Sequence, residues 1–117
     1  MAQIEIPASW RQAICAVLRT GKSGREIIWP MTSRARFEAY FPGAWPYDAH
    51  DDLRRHLERP LVTGCPVTME KPAGTTYEFM FDLRKRSSYG KILLTSDRKT
   101  VFIFSAHLPL KSKLSCE

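Results

Sequence analysis

Two stretches near the C-terminal end of the chain carry the side chains best suited to chemistry. One is Arg84-Lys85-Arg86-Ser87-Ser88-Tyr89-Gly90-Lys91, and the other is Ser105-Ala106-His107-Leu108-Pro109-Leu110-Lys111. Together they supply an imidazole, a phenol, hydroxyls and several cations. Histidine is the side chain whose unperturbed titration lies nearest neutrality, which suits it to proton transfer. Lysine and arginine stabilise negative charge that develops on a phosphoryl group. These are the groups that cleavage of RNA through its own 2′-OH requires: a base for the hydroxyl, cations for the phosphorane and an acid for the leaving oxygen, with no step that calls for a metal or cofactor. On this reading His107, Lys91, Tyr89 and Arg86 are the catalytic candidates. Arg84, Lys85, Ser88, Ser105 and Lys111 are the candidate RNA contacts. Tyr89 also suits stacking on a base. Plainer roles compete: His107 as a strand end bonded to a carbonyl, Ser105 as a packing residue, and Arg84 to Arg86 as a solvated turn that blocks edge pairing.

These stretches meet only if the chain forms a terminal hairpin. Tyr89 to Thr95 and Thr100 to Leu108 both read as strands, with Ser96-Asp97-Arg98-Lys99 as the turn between them. A turn at Asp97-Arg98 sets His107 opposite Ser88 and Ser105 opposite Gly90. Gly90 then leaves room for a phosphate close to the backbone. Parity decides where Lys91 goes. An even loop puts it on the Phe104 side, and an odd loop or a bulge near Gly90 puts it on the His107 side.

The elements that must hold this hairpin follow from periodicity. Trp10, Ala13, Ile14, Val17 and Leu18 predict a helix over about Trp10 to Thr20, with Ser9 as N-cap and Gly21 as C-cap. Glu26 to Trp29 reads as a short extended piece. A second helix, capped by Thr32 or Ser33, runs through Phe37 to Tyr40 and stops at Phe41-Pro42-Gly43. Asp48 opens a third helix over Ala49 to Glu58, with acidic residues early and arginines late as the macrodipole favours. Strands follow in Leu61 to Met69 and Thr75 to Leu83, where Tyr77, Phe79, Phe81 and Leu83 face one way and Glu78, Met80 and Asp82 the other. Arg84 to Ser88 reads as a basic turn. The expected fold is therefore α+β and a single domain over 1–117. Its helical part is 1–60, its antiparallel sheet of about four strands is 61–110, and 111–117 is a tail. The helices pack on one face of the sheet, the aromatic one, and the open face carries the site.

Charge supports a polyanionic partner. Eighteen Lys and Arg against twelve Asp and Glu give +6. Residues 70–117 hold +4 of this excess and the first 69 residues +2. Such a field attracts nucleic acid. Cys15, Cys65 and Cys116 are odd in number and widely spaced, so we expect no disulfide framework, a core Cys15, an exposed Cys116 and a reducing setting. No run approaches the about 18 apolar residues of a membrane span, and the first residues lack a signal-peptide pattern, so we expect a cytoplasmic protein, although a domain released from a larger secreted toxin would read the same. His50 and His56 share no helix face suited to a metal, and Asp48, Asp51 and Asp52 read as helix-start charges rather than a calcium loop. The aromatic segment Phe41-Pro42-Gly43-Ala44-Trp45-Pro46-Tyr47 reads as loop anchors or as an exposed partner contact.

The helices-then-sheet order, the stretch Tyr89-Gly90-Lys91-Ile92-Leu93-Leu94-Thr95 and the strand Val101-Phe102-Ile103-Phe104-Ser105-Ala106-His107 resemble the superfamily of small RNase toxins that includes RelE, barnase, EndoU and the tRNA-cutting colicins. The resemblance covers about residues 75–110 in pattern and the whole chain in element order. Only His107, Lys91 and the Arg84 to Arg86 cluster fit the groups that superfamily places on its sheet. It implies a toxin-type endoribonuclease that leaves a 2′,3′-cyclic phosphate and is masked by a cognate antitoxin or immunity protein. The same features are also compatible with a non-catalytic nucleic-acid-binding protein, or with a phage or mobile-element protein that docks on a host protein through the Trp45 loop.

Overall fold

The computed structural model describes residues 2–110 and 112–117. Lys111, one of the expected RNA contacts, lies outside the described residues. The fold is α+β: three helices lie against one six-stranded mixed sheet of order β1-β3-β4-β5-β6-β2. In chain order the elements are β1 (Ile4–Glu5), α1 (Ala8–Thr20), β2 (Ile27–Ile28), α2 (Met31–Tyr40), α3 (Pro46–Leu57), β3 (Thr63–Val67), β4 (Gly74–Leu83), β5 (Arg86–Thr95) and β6 (Val101–His107).

The four long strands are the ones that alternation identifies. The two additional strands are two-residue pieces contributed by the helical half. β1 pairs antiparallel with β3, and β2 pairs parallel with β6, so the sheet is mixed rather than wholly antiparallel. Strands this short carry no periodicity, which is why only the extended character of Glu26 to Trp29 is readable.

The helix starts differ from expectation for one recurring reason. Pro7, Pro30 and Pro46 each stand at a helix entry, and Pro46 itself is the first residue of α3. Proline has a fixed φ suited to the first turn and no N–H to leave unpaired, so it starts a helix without a side-chain cap. Ser9 is thus inside α1, and Ser33 is inside α2. Asp48 sits in the first turn of α3, where its Oδ2 accepts from the Trp45 N–H at 2.8 Å.

The core lies between the helices and one face of the sheet. α1 buries Trp10, Ile14 and Leu18, α3 buries Ala49, Leu53 and Leu57, and β4 presents Tyr77, Phe79, Phe81 and Leu83. Directional bonds fix the layers in register. The Ser33 hydroxyl donates to the Ile103 carbonyl at 2.8 Å, which seats α2 on β6. Arg11 is buried without a carboxylate partner among the described residues. Its guanidinium instead donates to the carbonyls of Ile6, Leu57 and Arg59, closing the C-terminal end of α3.

The terminal hairpin departs from simple counting. Tyr89 pairs with His107 and Lys91 with Ser105, and the register shifts between Lys91 and Ile92, so that Phe104 is the extra residue of a bulge in β6. His107 is therefore opposite Tyr89, not Ser88, and Ser105 is opposite Lys91, not Gly90. The bulge also exchanges faces. Val101 and Ile103 enter the core, whereas Phe102 and Phe104 stack on each other, half-buried, outside it. Gly90 faces the core and leaves no room for a phosphate, because a Cβ there would lie 3.0 Å from both Phe79 and Phe81 ring atoms. Gly90→Ala is accordingly expected to destabilise the fold by about 1–3 kcal/mol, measurable as a lowered denaturant midpoint with unchanged slope.

The β4–β5 connection is a two-residue turn rather than the five-residue turn Arg84 to Ser88. Leu83 pairs with Arg86, and the central residues Arg84 and Lys85 have φ of 50° and 68°. Both are left-handed, as a type I′ turn demands. Non-glycine residues in that region are strained by on the order of 1–2 kcal/mol each.

The cysteines also differ from expectation. Cys65 and Cys116 form a disulfide across 51 residues, and only Cys15 is free. An odd count leaves one thiol over, but it does not forbid a single bridge between the other two. The expected reducing setting rested on unpaired thiols, and that argument no longer holds. Cys15 is buried, and burial first, then the nearby Glu58, pushes its thiol up to about 11, so it is inert at neutral pH. No helix of the described residues is long and apolar enough to cross a membrane.

Candidate active site

The bulge and the C-terminal tail together build a cleft on the face of the sheet turned away from α1 and α3, with α2 at its edge. It encloses about 680 Å³ and is lined by Glu78 and Met80 of β4, Tyr89 and Lys91 of β5, Ser105 and His107 of β6, Arg36 of α2, and tail residues that include Lys113, Leu114, Ser115 and Glu117. The tail forms its outer wall. The Cys65–Cys116 bridge ties this wall to β3, Leu114 is buried, and the Ser115 N–H donates to Glu78.

Of the nine sequence-derived site residues, His107, Lys91, Tyr89 and Ser105 converge on this cleft. The bulge brings Lys91 to the His107 side. Four others lie elsewhere. Arg86 turns toward the helices, where its guanidinium lies 5.6 Å from the centre of the Phe41 ring and donates to the Tyr40 carbonyl at 3.4 Å. Arg84 is held at α3, with its N–H donating to Asp52 at 2.8 Å and its guanidinium 3.6 Å from Asp48. Lys85 is exposed beside it. Ser88 is buried on the core side, with its hydroxyl on the Arg86 carbonyl. Counting Arg84 to Ser88 as one loop placed this cluster beside His107. The tight turn makes Arg86 the first residue of a strand and aims it at the opposite face.

Besides the tail residues, which include Lys113, the cleft holds Glu78 and Arg36, neither of them among the expected site residues. Glu78 was legible as a member of the non-aromatic face of β4 but had no assigned role. Arg36 projects from a helix whose hydrophobic pattern is weak, and nothing in its spacing points toward the sheet edge.

His107 is the central group. Its ring is 2% exposed and lies between Tyr40 and Tyr89, at centroid distances of 5.8 and 5.7 Å. Its Nδ1 lies 2.7 Å from the Leu108 carbonyl oxygen. A carbonyl only accepts, so Nδ1 carries a proton, and in the neutral ring Nε2 holds the lone pair. That Nε2 is buried and has no hydrogen-bond partner among the described residues. A buried polar atom without a partner is costly and uncommon; His56 Nε2 and the Thr76 hydroxyl share this condition, and what sets His107 apart is that it also lines the cleft.

Opposite it, Tyr89 donates to Glu78 in a short hydrogen bond. Burial, the bond to Glu78 and that residue's charge together push the Tyr89 phenol far up, so it stays protonated. Burial pushes the Glu78 carboxyl up as well, but hydrogen bonds from Ser115 and Tyr89 and the charge of Lys91 outweigh it and hold the group below the usual range. Glu78 is therefore an ionised acceptor already engaged by Ser115 and Tyr89. It orients Tyr89 and anchors the tail, and it has no proton to give.

The other two histidines are structural. His50 accepts from the Trp29 indole N–H at 2.9 Å, and His56 stacks on Phe79 at 5.5 Å. Burial lowers both to about 4, aided at His56 by Arg59. A histidine held neutral in the fold favours the folded state fully above its unfolded value near 6.5, and this stability is lost as pH falls through about 4. Each contributes on the order of 3 kcal/mol at most. Stability measured by denaturant titration is thus expected to fall steadily from pH 6.5 to 4, and His50→Gln to flatten that slope. Among the described residues no group of three or more His, Cys, Asp or Glu is arranged to hold a metal.

Comparison with family models, with curated proteins and with solved structures finds no match for this chain.

Proposed function

We propose that the cleft is the active site of a small endoribonuclease of the toxin type, cutting RNA by general acid–base chemistry without a metal. The observation that carries this reading is that His107, whose Nε2 is buried and unpartnered among the described residues, lines a cleft together with Lys91, Arg36 and a tyrosine fixed by a carboxylate. Nε2 takes the proton of a 2′-OH, the oxygen bonds to phosphorus, and the bond from phosphorus to the 5′-oxygen breaks. Lys91 supplies charge to the phosphorane and a proton to the departing 5′-oxygen, and Arg36 adds a second positive charge. Tyr89 donates to Glu78 and so positions the wall of the site. It is assigned no proton transfer, and Arg86 is assigned none either. Nε2 is buried, so the cleft wall must open before a substrate hydroxyl can reach it.

As part of the same proposal, a cognate antitoxin or immunity protein covers the cleft and protects the producing cell. The test is degradation of RNA by the purified protein in EDTA, repeated with Lys91→Ala. The expected result is cleavage by the parent and at least a hundred-fold slower cleavage by the variant, given the typical worth of general acid–base groups. Salt-sensitive RNA binding with no cleavage would instead favour a non-catalytic binder.

A further inference from the structure

A second surface, outside the cleft, has the composition of a single-strand nucleic-acid contact. Trp45 and Tyr47 are exposed by 61% and 59%, and their rings lie nearly parallel, 9° apart, with centroids 6.5 Å apart. Beside them is the β4–β5 turn. Asp48 joins the two, accepting from the Trp45 N–H with one oxygen while its other oxygen lies 3.6 Å from the Arg84 guanidinium. The turn presents Arg84, Lys85 and Arg86 in succession. Arg84 is engaged by Asp48, and the nearby Asp52 is engaged by Arg55. Lys85 and Arg86 pair with no carboxylate among the described residues. Arg84 and Lys85 occupy two left-handed positions where asparagine and glycine would be the relaxed choice.

From these observations we infer that Trp45, Tyr47 and the Lys85–Arg86 turn form an exosite for single-stranded RNA. Bases stack on the aromatic pair, and phosphates meet Lys85, with the Arg86 guanidinium beside it on the Phe41 ring and the Tyr40 carbonyl. Exposed aromatics beside cations are the arrangement with which proteins hold unpaired bases, whereas a duplex offers no free base faces to stack on. Charge complementarity favours this occupant over an apolar protein surface. The exosite also connects to the cleft. Arg86 donates to the Tyr40 carbonyl, and the Tyr40 ring stacks on His107. The choice of RNA over DNA rests on the ribonuclease reading, while the preference for single strands does not.

The test uses the full oxidised chain carrying His107→Gln, so that binding is read apart from cleavage. A short uridylate oligonucleotide is titrated against tryptophan fluorescence, and a duplex of equal length serves as the comparison. Trp10 is buried and Trp29 half-buried, so quenching reports mainly on Trp45. The expected result is quenching by the single strand, at least ten-fold weaker affinity in Trp45→Ala followed with a labelled oligonucleotide, and a shallower salt dependence in Lys85→Glu. Both substitutions are on exposed side chains, and unchanged thermal midpoints confirm folding. Tyr47→Ala substitutes for Trp45→Ala if that variant does not fold. Equal affinity for the duplex, or unchanged affinity in both the aromatic and the Lys85 variants, overturns the exosite. So does a surface that binds a protein partner and no oligonucleotide. Single-strand binding by a parent chain that fails to cleave leaves the exosite standing and removes only the ribonuclease reading.

Discussion

Replacing His107 with alanine is expected to slow RNA cleavage by about 10²–10⁴-fold, the usual contribution of a general acid–base group. Three observations set this expectation. The Leu108 carbonyl fixes the proton on Nδ1, so the ring presents a basic nitrogen without a tautomer change. Tyr40 and Tyr89 hold the imidazole plane from two sides. The basic nitrogen has no competing partner among the described residues, so once the cleft wall opens its lone pair is engaged by nothing else. Alanine also removes a buried ring and creates a cavity, which lowers stability by itself. The activity loss must therefore be measured well below the variant's unfolding transition. His107→Gln, which fills the volume and keeps a hydrogen-bonding end, is expected to recover most of the stability and none of the rate. A variant set in which stability and activity recover together would assign His107 to packing alone.

Opening the disulfide is expected to cost up to about 4 kcal/mol of stability, by the chain-entropy relation for a loop of 51 residues. For a domain of this size, a loss approaching that value lowers the thermal midpoint by about 15 °C or more. The loss is local before it is global. The bridge joins the tail to β3, and the tail carries the Ser115 N–H that binds Glu78 and the Glu117 carboxylate that binds Gln3 and the Leu114 N–H. Hydrogen exchange in Cys116→Ser should show early loss of protection at Ser115 and Leu114, with β5 protected longer. Reduction without a shift in midpoint would mean that packing of Leu114 holds the tail and the bridge adds little.

The sheet was readable wherever side chains alternate over several residues. Tyr77 to Leu83 declared both its faces, and Glu78 with them, because one face of β4 is buried. The hairpin was readable in outline and wrong in register, since one extra residue at Phe104 reverses every side chain beyond it and nothing in Val101 to His107 announces a bulge. That residue is also what brings Lys91 and His107 to one face. The basic run Arg84 to Arg86 reads as a single cluster because charge has no period. A two-residue turn splits it, sending Arg86 toward Phe41 and leaving Arg84 at α3. The tail was unreadable for a different cause. Its position comes from one covalent bond and a few hydrogen bonds, which leave no pattern in so short a segment. Arg36 joined the site because Ser33, one turn earlier, anchors α2 on β6.

The nature of the RNA ends is the most direct measurement. Oxidised protein is incubated with a defined single-stranded RNA in EDTA, and the products are analysed by mass. The account predicts fragments ending in 2′,3′-cyclic phosphate with 5′-hydroxyl partners, formed by the parent and not by His107→Gln. RNA that is bound but left intact, or cleavage that persists unchanged in His107→Gln, would contradict it.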